Sequence, residues 1–118
     1  MNFKLNTRSI DGIAVVDCSG RLVFGDETSQ LRETVKNLLT EKLRIVLNLG
    51  SVSYIDSGGL GTLVSLYTSA RSAGGELKLA NLTKRVGDLL QITKLLTVFE
   101  VYDSEEKAIR SFQQRASA

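Results

Sequence analysis

The chain has 118 residues, a formal net charge of +2, 42% hydrophobic residues and 6% aromatic ones. That length fits one domain, expected over residues 1–118, with a core that needs no metal or disulfide, and the composition excludes disorder of the whole chain. Scattered basic residues argue against nucleic-acid binding, a single cysteine excludes an internal disulfide, and a metal site at that cysteine would need other soft ligands in a chain that has no histidine; no metal and no cofactor are expected.

The N-terminal "MNFKLNTRSIDG" has no long apolar region after its basic residues and is not read as a signal peptide. No apolar run approaches the roughly 20 residues of a membrane span. A cytoplasmic protein without membrane contact is the expectation. Phe3 and Leu5 alternate with Lys4 and Asn6 as in a half-buried strand. Asp11-Gly12 is a turn signal, and Ile13 to Cys18 is a second apolar run, so a hairpin opens the domain. Cys18 reads as a small core hydrophobe. Gly20 is expected to end the second strand, and "RLVFGDE" to be a loop with a short extended piece.

A helix should start near Asp26 to Thr28, with Leu31, Val35, Leu38 and Leu39 on its apolar stripe and Asp26 and Glu27 at its positive end. Leu43 to Leu49, "LRIVLNL", is apolar at almost every position, as in a central strand covered on both faces. The next helix begins around Ser57 or Gly58, buries Leu60, Leu63, Val64, Tyr67 and Ala70, and stops at Gly74-Gly75. "ELKLAN" is a strand. Asn81 or Thr83 caps a short helix carrying Val86, Leu89 and Leu90. "TVFEVY" is the last strand, and Asp103 and Glu106 have capping-box spacing ahead of a helix with Ala108, Ile109 and Phe112. The order ββαβαβαβα predicts an α/β domain: an N-terminal hairpin, then alternating βα units in a mixed, mostly parallel sheet with helices packed against it.

Chemistry concentrates in "YIDSGGLGTLV", Tyr54 to Val64. A nucleophilic Ser57 needs a base. Without histidine only a Ser-Lys pair with Lys42, Lys78 or Lys84 is formally available, and nothing in the spacing brings one to Ser57. A phosphate-binding loop is the second reading, since Gly58, Gly59 and Gly61 follow a strand and open a helix. The spacing matches neither the P-loop nor the dinucleotide motif, and Asp56 would repel a nucleotide phosphate. The third reading is structural: Asp56 or Ser57 caps the helix and the glycines allow a tight turn. It leaves a low ridge of Gly58, Gly61, Thr62 and Ser65 unexplained, although glycine inside a helix costs about 1 kcal/mol against alanine. The fourth is a modification switch. A helix N-terminus tolerates phosphate within its own fold, whereas about −1.5 to −2 charges would be poorly tolerated in a tight interface.

The stretch "VLNLGSVSYIDSGGLGTLVSLYTSARSAGGELKLANLTKRVGDLLQITKL" closely resembles the STAS domain of bacterial anti-sigma-factor antagonists. The resemblance extends over nearly the whole chain, through "SGRL", the apolar third strand, D-S-x-G-L-G, G-G-x-L and L-x-x-V-F. It implies a STAS fold and a protein that is not an enzyme. It implies a partner that is both anti-sigma factor and serine protein kinase, bound while Ser57 is unphosphorylated and released on its phosphorylation, so that sigma-dependent transcription is regulated. A PP2C-type phosphatase would reset the cycle. Ser57 would be the phosphoacceptor, Asp56 its partner in the motif, and Gly58, Gly59 and Gly61 would let the kinase approach. The expected interface is Asp56, Ser57, Gly58, Gly59, Gly61, Thr62 and Ser65, with Arg21 and Phe24 from the neighbouring loop, on a monomer. The chain departs from the pattern where many antagonists carry Gly-Glu-[Ile/Leu]-Asp: Gly20-Arg21-Leu22-Val23 replaces both acids. Gly58 stands where Ser or Thr is common, which leaves Ser57 the only hydroxyl between Tyr54 and Thr62. A scaffold or interaction module in another signalling assembly is the alternative.

Overall fold

The structure, a computed structural model, describes residues 3–116; residues 1–2 and 117–118 of the expected domain lie outside the described residues. Five strands, β1 (Lys4–Ile10), β2 (Ile13–Leu22), β3 (Arg44–Ile55), β4 (Glu76–Ala80) and β5 (Val101–Tyr102), form one sheet in the order β1-β2-β3-β4-β5. The helices are α1 (Asp26–Leu38), α2 (Ser57–Ser72), α3 (Lys84–Ile92) and α4 (Glu105–Ala116). β1 and β2 are antiparallel, joined by Asp11 and Gly12, both at positive φ as a tight hairpin turn requires. The other neighbours are parallel. The three βαβ crossovers step the same way along the sheet, with α1, α2 and α3 packed on one face and α4 on the other.

The sequence of β3 shows both coverings. Ile45, Leu47 and Leu49 face the larger core, with Leu22, Leu31, Val35, Leu63 and Leu66. Val46 faces α4, with Ile13, Val15, Ala108, Ile109 and Phe112. Cys18 is buried, and burial pushes its thiol pKa up to about 12. A thiol reagent should therefore leave the native protein unlabelled and react fully in denaturant; rapid native labelling would contradict this burial.

Several expectations are corrected. β2 does not end at Gly20 but runs on to Leu22, because Gly20, at φ 104, absorbs an irregularity in pairing with β3. β3 likewise continues past Leu49 to Ile55, paired with β2 alone beyond Asn48, while Leu43 lies outside it and is half exposed. On α2, Leu66 is buried, whereas Val64 and Tyr67 lie at the margin of the core. "TVFEVY" yields only the two-residue β5; Leu95–Thr97 forms a 3₁₀ turn that carries Phe99 into the core. The cap of α4 is Ser104, whose Oγ accepts from Lys107 N at 3.2 Å, while Asp103 pairs with Lys107 at 3.6 Å.

Two ionic groups fasten the α4 face. Lys78 is fully buried beneath α4, where its Nζ meets Ser111 Oγ at 2.7 Å and lies 4.1 Å from the Phe112 ring centroid. Arg8 donates to both Asp17 oxygens at 2.8 and 2.9 Å and also binds Glu105, which accepts from Asn48 at 3.1 Å. The Arg8 guanidinium holds the Asp17 and Glu105 carboxyls below their ordinary values of 3.8 and 4.5. A depressed native pKa contributes stability that is complete above those ordinary values and is lost as pH falls through the native ones. Acid titration of Arg8→Met should therefore show a shallower loss of stability below about pH 4.5 than the parent, followed by urea midpoints.

Candidate functional site

The parallel strands deliver β3, α2 and the end of β2 to one edge of the domain. Asp56 leaves β3 in extended conformation and caps α2: its Oδ1 accepts from Gly59 N at 2.8 Å. The same carboxylate accepts from Phe24 N, at 3.2 and 3.1 Å to its two oxygens. Asp56 N in turn donates to Leu22 O at 3.3 Å. One residue therefore ties the β2–α1 loop to the helix start. Those N–H donors, Gly59's foremost, hold the Asp56 carboxyl below its ordinary range. Asp56→Ala should cost about 1–2 kcal/mol in urea unfolding, the cost of a lost N-cap. A variant as stable as the parent would contradict the capping role.

Ser57 is the first residue of α2 and is exposed, and its hydroxyl makes no hydrogen bond to another described residue. Gly61, Ser65 and Thr68 follow on the same exposed side, at helical spacings of four, four and three. Thr68 is the member that sequence reasoning missed; its spacing from Ser65 was the available signal. Thr62 is a correction. It is only 2% exposed, donates to Gly58 O at 2.9 Å and accepts from Arg32 at 3.2 Å, so it ties α2 to α1 and is not part of the ridge.

The glycines divide by what surrounds them. A Cβ on Gly59 would run into the Leu22 carbonyl oxygen, and one on Gly58 would stand 2.5 Å from Phe24 Cβ. These two glycines let the chain's own β2–α1 segment approach and do not clear room for a visitor. Only Gly61 of the three faces open space. Phe24 is 78% exposed beside them. Arg21 belongs to β2, not to the loop, and lies opposite Tyr54 of β3 with its guanidinium 4.8 Å from that ring's centroid. Arg85, which no sequence signal singled out, stands 5.2 Å from the same ring.

Chemically, the site offers an accessible hydroxyl, and each of the three candidate lysine bases is engaged with another described residue. Lys42 bonds Ser9, Lys84 pairs with Asp88 on α3, and Lys78 lies under α4 on the opposite face of the sheet from α2. The loop is also a poor nucleotide cradle, since the Asp56 carboxylate already occupies the Gly59 N–H that an anion would take. Among the described residues no group of three or more Cys, Asp or Glu is placed to hold a metal ion, and no helix is long and apolar enough to cross a membrane.

Comparison with known proteins bears on the family and the fold. The family model of the STAS domain matches residues 4–108. The anti-sigma-B factor antagonist of Bacillus subtilis (strain 168) is 34% identical over 111 residues, which cover 93% of this chain and 100% of that one. The fold is similar to that of the anti-sigma factor antagonist SpoIIAA in its unphosphorylated form, with a TM-score of 0.77 at 21% identity over 96% of this chain and 97% of that one. It is also similar to the Bacillus cell fate determinant SpoIIAA in the phosphorylated form, with a TM-score of 0.71 at 20% identity over 94% and 99% of the two chains.

Proposed function

This chain belongs to the STAS domain family of anti-sigma factor antagonists, and from that premise we propose that it is a partner switch gated by phosphorylation of Ser57. Unphosphorylated, it binds an anti-sigma factor through the ridge of Ser57, Gly61 and Ser65, with Phe24 as an apolar anchor at the edge. The same anti-sigma factor is a serine kinase. Ser57 Oγ attacks the γ-phosphorus of the kinase's ATP; the new O–P bond replaces the bond to ADP, and the hydroxyl proton leaves to a base of the kinase. A PP2C-type phosphatase hydrolyses the product ester. The antagonist acts as a monomer, supplies the acceptor and performs no catalysis itself.

The observation that supports this most is the state of Ser57: exposed, unbonded, and held at the first position of α2 by a cap already in place. A phosphate there gains from the helix dipole and from water, so the domain keeps its fold. The same dianion next to the Asp56 carboxylate would have to be desolvated inside an interface. Incubation with an anti-sigma factor of the serine-kinase type and ATP, followed by mass spectrometry, tests the assignment. One phosphate on Ser57 is expected. Equal labelling of Ser57→Ala would overturn it.

A further inference from the structure

β3 is longer than the strand beside it. Its pairing with β4 ends at Asn48–Ala80, yet the strand runs on to Ile55. Past that point Thr83 Oγ1 bonds Val52 O at 3.2 Å, and among the described residues no strand covers the outer side of Ser53–Ile55. An uncovered strand edge is a template for another chain. Here it borders a cleft of about 780 Å³ between β3 and α3. Leu89 and Ile92 line the α3 side of this cleft, and Ile92 is 77% exposed.

Charge says what fits the cleft. The guanidiniums of Arg21 and Arg85 both lie against Tyr54, and neither is paired with a carboxylate among the described residues. Lys84 is paired with Asp88. The lining of the cleft is therefore net positive through Arg85, with Arg21 adding a second charge at Tyr54 just beside it, over an apolar wall. A strand laid against Ser53–Ile55 turns alternate side chains to opposite sides. One set reaches Leu89 and Ile92, and the other reaches the two free guanidiniums.

We propose that the free edge of β3 is a second docking site, which takes an extended acidic segment of a partner protein, with apolar and acidic residues alternating, as an added strand. This site is separate from the Ser57 ridge and does not depend on phosphorylation.

The test is a titration of the isotope-labelled full chain with a short capped peptide alternating glutamate and valine. Saturable shifts are expected at the amides of Ser53–Ile55 and the Ile92 methyls. The double variant Arg21→Glu/Arg85→Glu should bind about tenfold more weakly. Ser57→Ala should bind as the parent does, which keeps this result distinct from the fate of the phosphorylation switch. The same peptide N-methylated at alternate residues should not bind, because it cannot complete a ladder. The proposal is overturned by equal binding of a lysine–valine peptide, by unimpaired binding of the N-methylated one, by tighter binding of oligothymidylate, or by shifts confined to Ser57–Ser65.

Discussion

Ser57→Asp is expected to weaken binding of the anti-sigma factor at least about a hundredfold, a change near 2.7 kcal/mol, while Ser57→Ala binds as the parent does. The reasons lie in the first turn of α2. Aspartate at the first helical position is favoured by the dipole and faces water in the free protein. Urea unfolding should therefore show Ser57→Asp no less stable than the parent. Any loss of binding then arises in the complex, where a second carboxylate beside Asp56 must give up its water. Phosphoserine carries about −1.5 to −2 charges against one for aspartate, so the phosphorylated protein should bind more weakly still. Calorimetric titration of the three forms against one anti-sigma factor provides the measurement. Ser57→Asp binding within a factor of three of Ser57→Ala would remove Ser57 from the interface.

Gly59→Ala and Gly61→Ala should move stability in opposite directions. The added methyl at Gly59 meets the Leu22 carbonyl oxygen and lies 2.8 Å from Ile55 Cγ1. The carbonyl is strand backbone and is already bonded to Asp56 N, so it has nowhere to go. Either α2 moves or the end of β2 unpairs, at about 3 kcal/mol, the upper range for overpacking. At Gly61 nothing lies within 4 Å of the new methyl, and alanine gains about 0.5–1 kcal/mol from helix propensity. A more stable Gly61→Ala that binds the anti-sigma factor less well would show that the residue serves the surface at the expense of the fold. Denaturation midpoints of the two variants decide the first point and their titrations the second. Gly59→Ala as stable as the parent would contradict the packing of α2 on β2.

The alternation of apolar and polar residues made the order of elements legible in the sequence, and the motif made the site legible. What remained hidden needed contacts between distant segments. Gly20 has the look of a strand terminator, and only pairing with β3 shows that β2 runs on through it, opposite a bulge at Ser53 of β3. Lys78, one polar residue in "ELKLA", gives no local sign that Ser111 and Phe112 will cover it. Thr62 and the glycines were the most misleading. Small residues in a helix look alike, whether the space beside them is taken by the chain's own backbone, as at Gly59, or left open, as at Gly61. Which neighbour α2 turns toward is a tertiary fact. The same holds for Tyr54, whose two arginines come from β2 and α3.

The fit of Phe24 over Gly58 has a consequence for how such chains can diverge. With Phe24 Cβ 2.5 Å and its Cα 3.1 Å from the site of any Cβ at position 58, that position is tied to the path of the β2–α1 segment. A serine or threonine at 58 demands that the β2–α1 segment be re-laid, and the Asp56 carboxylate that grips Phe24 N resists this. Every residue at position 24 except glycine carries that Cβ, so a hydroxyl-bearing residue beside Ser57 requires the segment itself to move, and the exposed aromatic at 24 moves with it. A partner adapted to one arrangement meets a different relief in the other.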